Sequence, residues 1–207
     1  MKHDPTAKVG GPSLTGIEPL YKEEASSAGD FFEEAMEAGM GDGIDAIVLH
    51  PYWYGWGVDS FEESTRVSDI KWYKDMYREY TGREAEVWHT ESGISAYDVP
   101  ERSVVTKGYF DSRFILTAKS HGVSDIASLY NFARKGELDN GREDMFGHVS
   151  AGYENIKKWD KLYFPTESYL MITGLNYIMA NSKADGIYDH EGRPNIKLNK
   201  YKSDKFD

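Results

Sequence analysis

The chain has 207 residues, of which 40% are hydrophobic and 14% aromatic, so it is long enough and apolar enough to bury a core. Its 24 Lys and Arg against 35 Asp and Glu give a formal net charge of −11, which argues against nucleic acid and anionic membrane surfaces as partners. The lack of cysteine excludes disulfides and thiolate metal sites, and no apolar run reaches the roughly 20 residues that a membrane-spanning helix needs.

The start of the chain carries no readable targeting signal. Residues 1–5 lack the apolar centre of a signal peptide. A secreted or periplasmic location therefore requires a signal peptide in polypeptide that precedes this segment, and the compartment stays open.

Four short apolar segments predict β-strands. Their starts lie about 40 residues apart, which is the spacing of βα units. The segments are residues 7–10, 45–50, 85–89 and 125–130.

Amphipathic helices are predicted after each of these strands. In the first helix Asp30 caps residues 31–38, and in the second Ser68 is the cap and Gly82 the stop. The third begins after Pro100 and turns apolar residues such as Val104, Val105, Phe114, Ile115 and Ala118 inward before it ends at Gly122. The fourth follows Pro165.

The strict alternation of strand and helix predicts a parallel sheet with right-handed crossovers, either an open doubly wound sheet or a (β/α)8 barrel. Gly10 and Gly11 lack the later glycine and the lysine of a phosphate-binding loop, so a nucleotide site is not indicated. We therefore favour an α/β fold of the TIM-barrel type. A complete barrel takes about 250 residues, so the βα units here amount to about half of one.

The last residues, 181–207, are predicted to lie outside the barrel. Their alternating Ile196, Leu198 and Tyr201 predict a hairpin or the first strands of an appended β module, and disorder fits nearly as well.

The residues that follow the four strands are expected to share one edge of the sheet and to form one cleft. They are residues 10–13, 50–53, 89–91 and 130–132. The cleft combines the Glu91 carboxylate with imidazoles, phenols and aromatic walls. Glycosidic-bond hydrolysis needs this set, because a carboxylate must attack an oxocarbenium-like centre while the sugar is stacked and oriented. We expect Tyr52 to hydrogen-bond Glu91, and His50 to orient it or to contact a sugar hydroxyl.

Several segments carry a family resemblance through their order and spacing. Two of them are Ile47-Val48-Leu49-His50-Pro51-Tyr52 and Trp88-His89-Thr90-Glu91-Ser92-Gly93, and the others are residues 4–12, 125–132, 142–147 and 163–170. Together they resemble strands five to eight and the last helix of a clan A retaining glycoside hydrolase, nearest to families 39 and 5. We therefore interpret residues 1–180 as the C-terminal half of such a barrel.

The resemblance implies hydrolysis of O-glycosidic bonds in an oligo- or polysaccharide, by a retaining mechanism with two carboxylates and with no cofactor or metal. It implies that Glu91 is the nucleophile, Tyr52 its hydrogen-bond partner, and His50 and Tyr130 parts of the subsite for the scissile sugar. The other residues that we assign to substrate binding are Trp53, Trp56, Trp88, His89 and Asn131.

The resemblance also implies an incomplete site. The family's acid/base glutamate follows strand four, which no segment of this sequence matches, and retention requires two carboxyl groups about 5 to 5.5 Å apart. This chain is therefore expected to supply the nucleophile half, and its activity in isolation stays open. An N-terminal half-barrel or self-association is expected to complete the cleft.

Two other functions stay open at this point. Metal-dependent hydrolysis is one, because His50, His89 and Glu91 make up a His-His-carboxylate ligand set. A non-catalytic carbohydrate-binding or scaffold fragment is the other, since the aromatic cleft could bind a sugar even where the acid/base glutamate is lacking. His148 is expected to be solvated in a loop and is assigned no role.

Overall fold

A computed structural model describes residues 4, 6–17, 28–52, 61, 64–99, 103–134, 145–151, 163–180, 182–189 and 197–203. The chain divides into two compact units. The first comprises Met1–Tyr52, Thr65–Ser92 and Val123–Ser128, and the second comprises Trp53–Ser64, Gly93–Gly122 and Leu129–Asp207. In these described ranges no helix is both long enough and apolar enough to cross a membrane.

The first unit is built on a parallel sheet. Its strands are β1 (Gly10–Thr15), β2 (Ala46–His50), β3 (Glu86–His89) and β4 (Ile126–Ala127), hydrogen-bonded in the order β1-β2-β3-β4. Every neighbouring pair runs parallel. The predicted α/β fold with a parallel sheet is confirmed, and β2 and β3 lie within one residue of their predicted bounds. β2 is apolar along most of its length because it is buried on both faces, as central parallel strands are.

Two aspartates hydrogen-bond to the neighbouring strand or the residues before it, near the amino ends of the sheet strands. The Asp45 carboxylate, directly before β2, accepts from the Val9 backbone N–H at 2.9 Å. The Asp125 carboxylate, directly before β4, accepts from the Val87 N–H at 2.8 Å. The backbones of the same residues also pair. The N–H of Asp45 donates to the Val9 carbonyl at 2.7 Å, and the N–H of Asp125 to the Val87 carbonyl at 2.8 Å. The same residue type thus fixes register at two places in the sheet.

Strand β1 begins at the residue where the sequence predicted that it would end. Its register against β2 shifts between Gly10 and Ser13, so the expected exit loop at residues 10–13 is a bulged part of the strand. A Cβ on residue 10 would meet Trp88 Cε3 at 2.6 Å and Val48 Cγ2 at 2.8 Å. The glycine therefore serves close packing of the sheet and not a turn.

The helices of this unit are α1 (Ala28–Glu37) and α2 (Arg66–Thr81), with a 3₁₀ turn at Met40–Gly43. Both helices begin three residues earlier than predicted. Asp30 and Ser68, predicted as caps, lie in the first turns instead, and the Ser68 hydroxyl donates to the Thr65 carbonyl at 2.6 Å. Serine and aspartate suit a first turn as well as a cap, so the sequence left the exact start open.

The inner face of α2 consists of Ile70, Tyr73 and Tyr77, which are all buried. The Tyr73 ring meets Phe32 of α1 edge to face, with centroids 5.1 Å apart. The Tyr77 hydroxyl donates to the Ile44 carbonyl at 2.8 Å, which satisfies both buried polar groups.

The second unit contains α3 (Val104–Ser120) and α4 (Glu167–Met179), which begin at capping hydroxyls. Ser103 Oγ accepts from the Thr106 N–H at 3.2 Å, and Thr166 Oγ1 accepts from the Tyr169 N–H at 3.4 Å. The predicted inward positions of α3 are buried at Phe114, Ile115 and Ala118. Val105 is an error of that prediction, because it lies in the first turn and is 40% exposed.

Short strands complete the second unit. They are β5 (Ala133–Arg134), β6 (Val149–Ala151) and β7 (Tyr163–Pro165) in one sheet, and β8 (Ser182–Asp189) and β9 (Lys197–Ser203) in an antiparallel pair. An antiparallel pair is what both strand-forming interpretations of the tail, a hairpin or the first strands of an appended β module, expected. The predicted division into residues 1–180 and 181–207 stays a prediction.

Candidate active site

Strand β2 delivers His50 and Tyr52 to the carboxyl edge of the first unit's sheet. His50 is the last residue of β2, and the Tyr52 N–H turns back to donate to the His50 carbonyl at 2.9 Å. Pro51 between them is buried. This tight turn places an imidazole and a phenol side by side at the end of a rigid strand.

The neighbouring strand β3 delivers Glu91 to the same edge. The Tyr52 hydroxyl donates to Glu91 Oε2 at 3.1 Å, and His50 Nδ1 lies 3.6 Å from the same oxygen. The glutamate side chain is 42% exposed and the imidazole 17%. The carboxylate is thus held by a phenol and an imidazole while it stays open to a ligand.

Thr90 also belongs to this group, although the sequence analysis did not single it out. Its Oγ1 lies 2.9 Å from His50 Nε2, while His50 Nδ1 faces Glu91. Each imidazole nitrogen is therefore contacted by a residue that directly follows β3. A ring contacted at both nitrogens has a fixed orientation. Thr90 therefore fixes the imidazole that faces Glu91, and a hydroxyl one residue before the carboxylate is the signal that could have predicted this.

Arg66 and Asp69 of α2 are linked to the backbone of Tyr52 by hydrogen bonds. Sequence reasoning missed these two residues as well. Arg66 Nε donates to the Tyr52 carbonyl at 2.8 Å, and Arg66 Nη1 to Asp69 Oδ2 at 3.2 Å. Thr65 Oγ1 donates to the same Asp69 oxygen at 2.8 Å. Both charged residues are only 5% exposed. A buried arginine in the first turn of a helix is hard to distinguish by sequence from a solvated one.

Trp88 and His89 point to opposite faces of the sheet. Trp88 is paired in register with Val48, and His89 with Leu49, so the two residues follow the alternation of a strand. Trp88 is half-buried, and its Nε1 donates to Glu86 Oε2 at 2.9 Å. His89 is fully buried on the face of Leu49. His50 follows Leu49 and so points to the other face, and the structure does not bring His89 together with the Glu91 group.

Tyr130 and Asn131 belong to the second unit and are joined by a cis peptide bond. The Tyr130 ring meets Phe146 edge to face at 5.3 Å, and Tyr130 is half-buried. Asn131 Oδ1 is buried without a hydrogen-bond partner among the described residues. Trp53 and Trp56 lie outside the described residues. The assignment of all these residues to substrate binding stays a prediction.

A cluster of buried charges occupies the second unit, and the sequence did not indicate it. Lys107 Nζ lies 2.6 Å from Asp111 Oδ2 and 3.0 Å from His148 Nε2, and His148 Nδ1 lies 2.8 Å from Ser168 Oγ. Asp111 Oδ1 also accepts from the Ile94 N–H at 3.1 Å. Lys107 and Asp111 stand four residues apart on α3, a spacing that is usual for solvated helix pairs. Their burial is what sequence spacing could not reveal.

Burial shifts the protonation of this cluster. It lowers the pKa of Lys107 and raises the pKa of Asp111, and the attraction between the two charges opposes both changes. Burial first and the Lys107 charge second lower the pKa of His148 to about 3. The expectation of a solvated His148 is therefore wrong, because the side chain is only 8% exposed and is neutral at ordinary pH.

No group of three or more His, Asp or Glu side chains is arranged to hold a metal ion within the described ranges. His50, His89 and Glu91, which suggested a metal site, are all described, and the opposite orientation of His89 separates it from the other two. Among the described residues, the set that suggested a metal site is therefore not brought together.

No protein-family model matches this chain, and no curated protein does. Among solved structures, a family 39 glycoside hydrolase from the gut symbiont Bacteroides cellulosilyticus WH2 superimposes with a TM-score of 0.61 at 19% identity, over 85% of this chain and 35% of that one. The chain is similar in fold to family 39 glycoside hydrolases.

Two further structures agree. A GH39 enzyme from Xanthomonas axonopodis pv. citri gives a TM-score of 0.51 at 15% identity, over 87% of this chain and 36% of that one. A monomeric beta-xylosidase from Caulobacter crescentus CB15 gives 0.51 at 14%, over 93% and 41%. This chain thus spans well under half the length of the proteins it resembles, and at these identities the likeness shows the fold alone.

Proposed function

We propose that this chain is the nucleophile half of a retaining glycoside hydrolase. It corresponds in this proposal to strands five to eight of a (β/α)8 barrel. The observation that carries the proposal is the Glu91 carboxylate at the carboxyl end of β3, with the Tyr52 hydroxyl 3.1 Å and His50 Nδ1 3.6 Å from one of its oxygens. A carboxylate that is positioned by a phenol and open to a ligand suits nucleophilic attack on a sugar.

Glu91 is the proposed nucleophile. Tyr52 engages Oε2, and Oε1 attacks the anomeric carbon, so a C–O bond to the glutamate forms as the bond to the leaving oxygen breaks. The leaving oxygen takes a proton from the acid/base carboxyl. Water then attacks the same carbon, gives its proton to that second group, and releases the carboxylate. The Tyr52 hydrogen bond keeps the Glu91 carboxyl group in position for the attack.

The acid/base carboxyl is proposed to come from a complementary half-barrel, in another segment or another subunit. Three features support this: no Asn-Glu pair follows a strand in residues 1–207, a retaining site needs a second carboxyl, and the chain spans 35% of a structural neighbour's length. The ligand is proposed to be an oligo- or polysaccharide. His50 and Tyr130 would contact the scissile sugar, and other ligand contacts would come from Trp53, Trp56, Trp88 and Asn131. His89 is left out of the proposed contacts, because it is fully buried on the opposite face of the sheet.

Covalent trapping tests this proposal without the missing acid. Activated 2-deoxy-2-fluoro glycosides with dinitrophenyl leaving groups need little protonation, so the nucleophile alone can form the glycosyl-enzyme. Intact mass is followed for wild type, Glu91→Gln and Glu86→Gln, and labelled peptides are mapped. Glu86 is the matched control, because it lies at the other end of β3 and pairs with Lys8.

We expect wild type and Glu86→Gln to be labelled at Glu91. We expect no label on Glu91→Gln. A label on another residue, or none with any sugar, would contradict the proposal. The half-exposed Trp88 ring favours one alternative, a non-catalytic carbohydrate-binding fragment. That function would be indicated by equal affinity of wild type and Glu91→Gln for an oligosaccharide, with no labelling of either.

A further inference from the structure

The buried pair of Arg66 and Asp69 has a geometry that a merely structural ion pair does not need. Arg66 uses two different nitrogens, Nε for the Tyr52 carbonyl at 2.8 Å and Nη1 for Asp69 Oδ2 at 3.2 Å. Thr65 Oγ1 fixes the same carboxylate oxygen from the N-cap of α2 at 2.8 Å. Each contact restrains the next, so the planar guanidinium is aimed at one backbone oxygen.

That backbone oxygen belongs to the residue whose phenol meets Glu91. Tyr52 lies two residues beyond the last residue of β2, outside the strand ladder. Its N–H is held by the His50 carbonyl at 2.9 Å and its carbonyl by Arg66. The hydroxyl lies at the far end of a rigid side chain, so a small rotation of this peptide moves the oxygen that contacts Glu91 by much more.

We propose that Arg66 and Asp69 are positioning residues that act on the Glu91 carboxylate through the backbone and phenol of Tyr52. Asp69 orients the guanidinium, Arg66 holds the peptide of Tyr52, and the peptide sets the distance from the phenol to Glu91. This inference rests on the proposed nucleophilic role of Glu91 for its catalytic meaning. The effect of Arg66 and Asp69 on the position of the Tyr52 phenol is argued from contacts within the first unit alone.

A double-mutant comparison tests the inference by the rate of trapping at Glu91. Arg66→Lys keeps the charge beside Asp69 but replaces the planar fork by a point charge, which cannot reproduce both contacts. We expect Arg66→Lys and Tyr52→Phe each to slow labelling by about tenfold, the size of effect of one hydrogen bond to a charged group. The double variant is expected to be no slower than Tyr52→Phe alone, because Arg66 acts through the phenol.

Arg78→Lys is the matched control, since Arg78 is an exposed arginine of the same helix whose partners are Asp75 and Glu84. It should label at the wild-type rate. Far-UV circular dichroism of each variant verifies folding. Should Arg66→Lys fail to fold, Asp69→Asn takes its place, because it retains an acceptor for Arg66.

A second readout separates failure of this inference from failure of the proposed function. The Cζ chemical shift of Tyr52, in isotope-labelled protein, reports its hydrogen bond to Glu91 whether or not any sugar reacts. In Arg66→Lys it should move toward its value in Glu91→Gln, and in Arg78→Lys it should stay at the wild-type value. An unchanged shift, or a labelling defect that multiplies with that of Tyr52→Phe, would overturn the inference. Absent labelling in wild type with the expected shift change would overturn only the proposed function.

Discussion

Replacing Lys107 by methionine should destabilise the protein strongly, because it leaves the Asp111 carboxylate without its cation. Both side chains are 0% exposed and their charged atoms lie 2.6 Å apart. Removing one partner of such a buried pair typically costs about 3–5 kcal/mol, since the other charge stays desolvated. Methionine nearly matches the shape of the lysine stem, so packing loss adds little.

Part of this cost should be reversible by acid. Burial already raises the pKa of Asp111, and loss of the lysine charge removes the attraction that opposes the rise. The folded variant will therefore bind a proton at a higher pH than the unfolded chain, whose Asp111 titrates near 3.8. The deficit should shrink as pH falls, by up to about 1.4 kcal/mol per pH unit.

Urea unfolding monitored by far-UV circular dichroism measures the effect. Three variants are compared with wild type at about pH 7 and about pH 5. They are Lys107→Met, the double variant Lys107→Met with Asp111→Asn, and Lys71→Met, which removes an exposed lysine of α2. We expect the double variant to recover most of the loss, and Lys71→Met to stay within about 0.5 kcal/mol of wild type. A loss below about 1 kcal/mol at neutral pH, or a double variant no more stable than the single one, would refute the reasoning.

Three further predictions concern residues of the two units. His148 is held neutral by burial among Lys107, Asp111 and Ser168, with its pKa lowered from 6.5 to about 3, so the unfolded chain binds its proton first as pH falls. Wild type should lose about 2 kcal/mol on this account between about pH 7 and 4.5, and titration of stability for His148→Gln should lack that slope. Gly93→Ala should cost about 1–3 kcal/mol in urea unfolding, because residue 93 has a φ of 122° and a Cβ there would lie 3.2 Å from Asp111 Oδ1; a neutral result would contradict the strain. Tyr77→Phe should lower the free energy of unfolding by about 1 kcal/mol, because the hydrogen bond to the Ile44 carbonyl is lost. An unchanged midpoint of urea unfolding would contradict this prediction.

The sheet was predictable because its signals are local. An apolar run such as residues 46–49 is expected to form a buried strand, and a carboxylate directly after such a run is expected at the strand's end. The contact of Tyr52 with Glu91 was also predicted, since two neighbouring parallel strands end at the same edge. Helix ends were less accurate, because serine, threonine and aspartate occupy caps and first turns alike.

The supporting residues were not predictable for a different reason. Arg66 and Lys107 are long cations on helices, where sequence spacing indicates a solvated residue. Their burial depends on what packs over them, which is a property of tertiary structure. The need for a glycine at position 10 escaped prediction likewise, since it arises from the positions of the Trp88 and Val48 side chains on other strands. Sequence therefore indicated the candidate nucleophile and its partner, but not the residues that hold them.

The order of segments in the two units has a practical consequence for shortening this protein. The chain passes from one unit to the other after Tyr52, Ser64, Ser92, Gly122 and Ser128. A deletion that ends the chain at Ser92 would also remove β4 from the first unit, together with the Ser128 carbonyl that accepts from Ser92 Oγ at 2.9 Å. No single cut isolates either unit intact. Each unit is therefore best studied by substitution within the uncut chain.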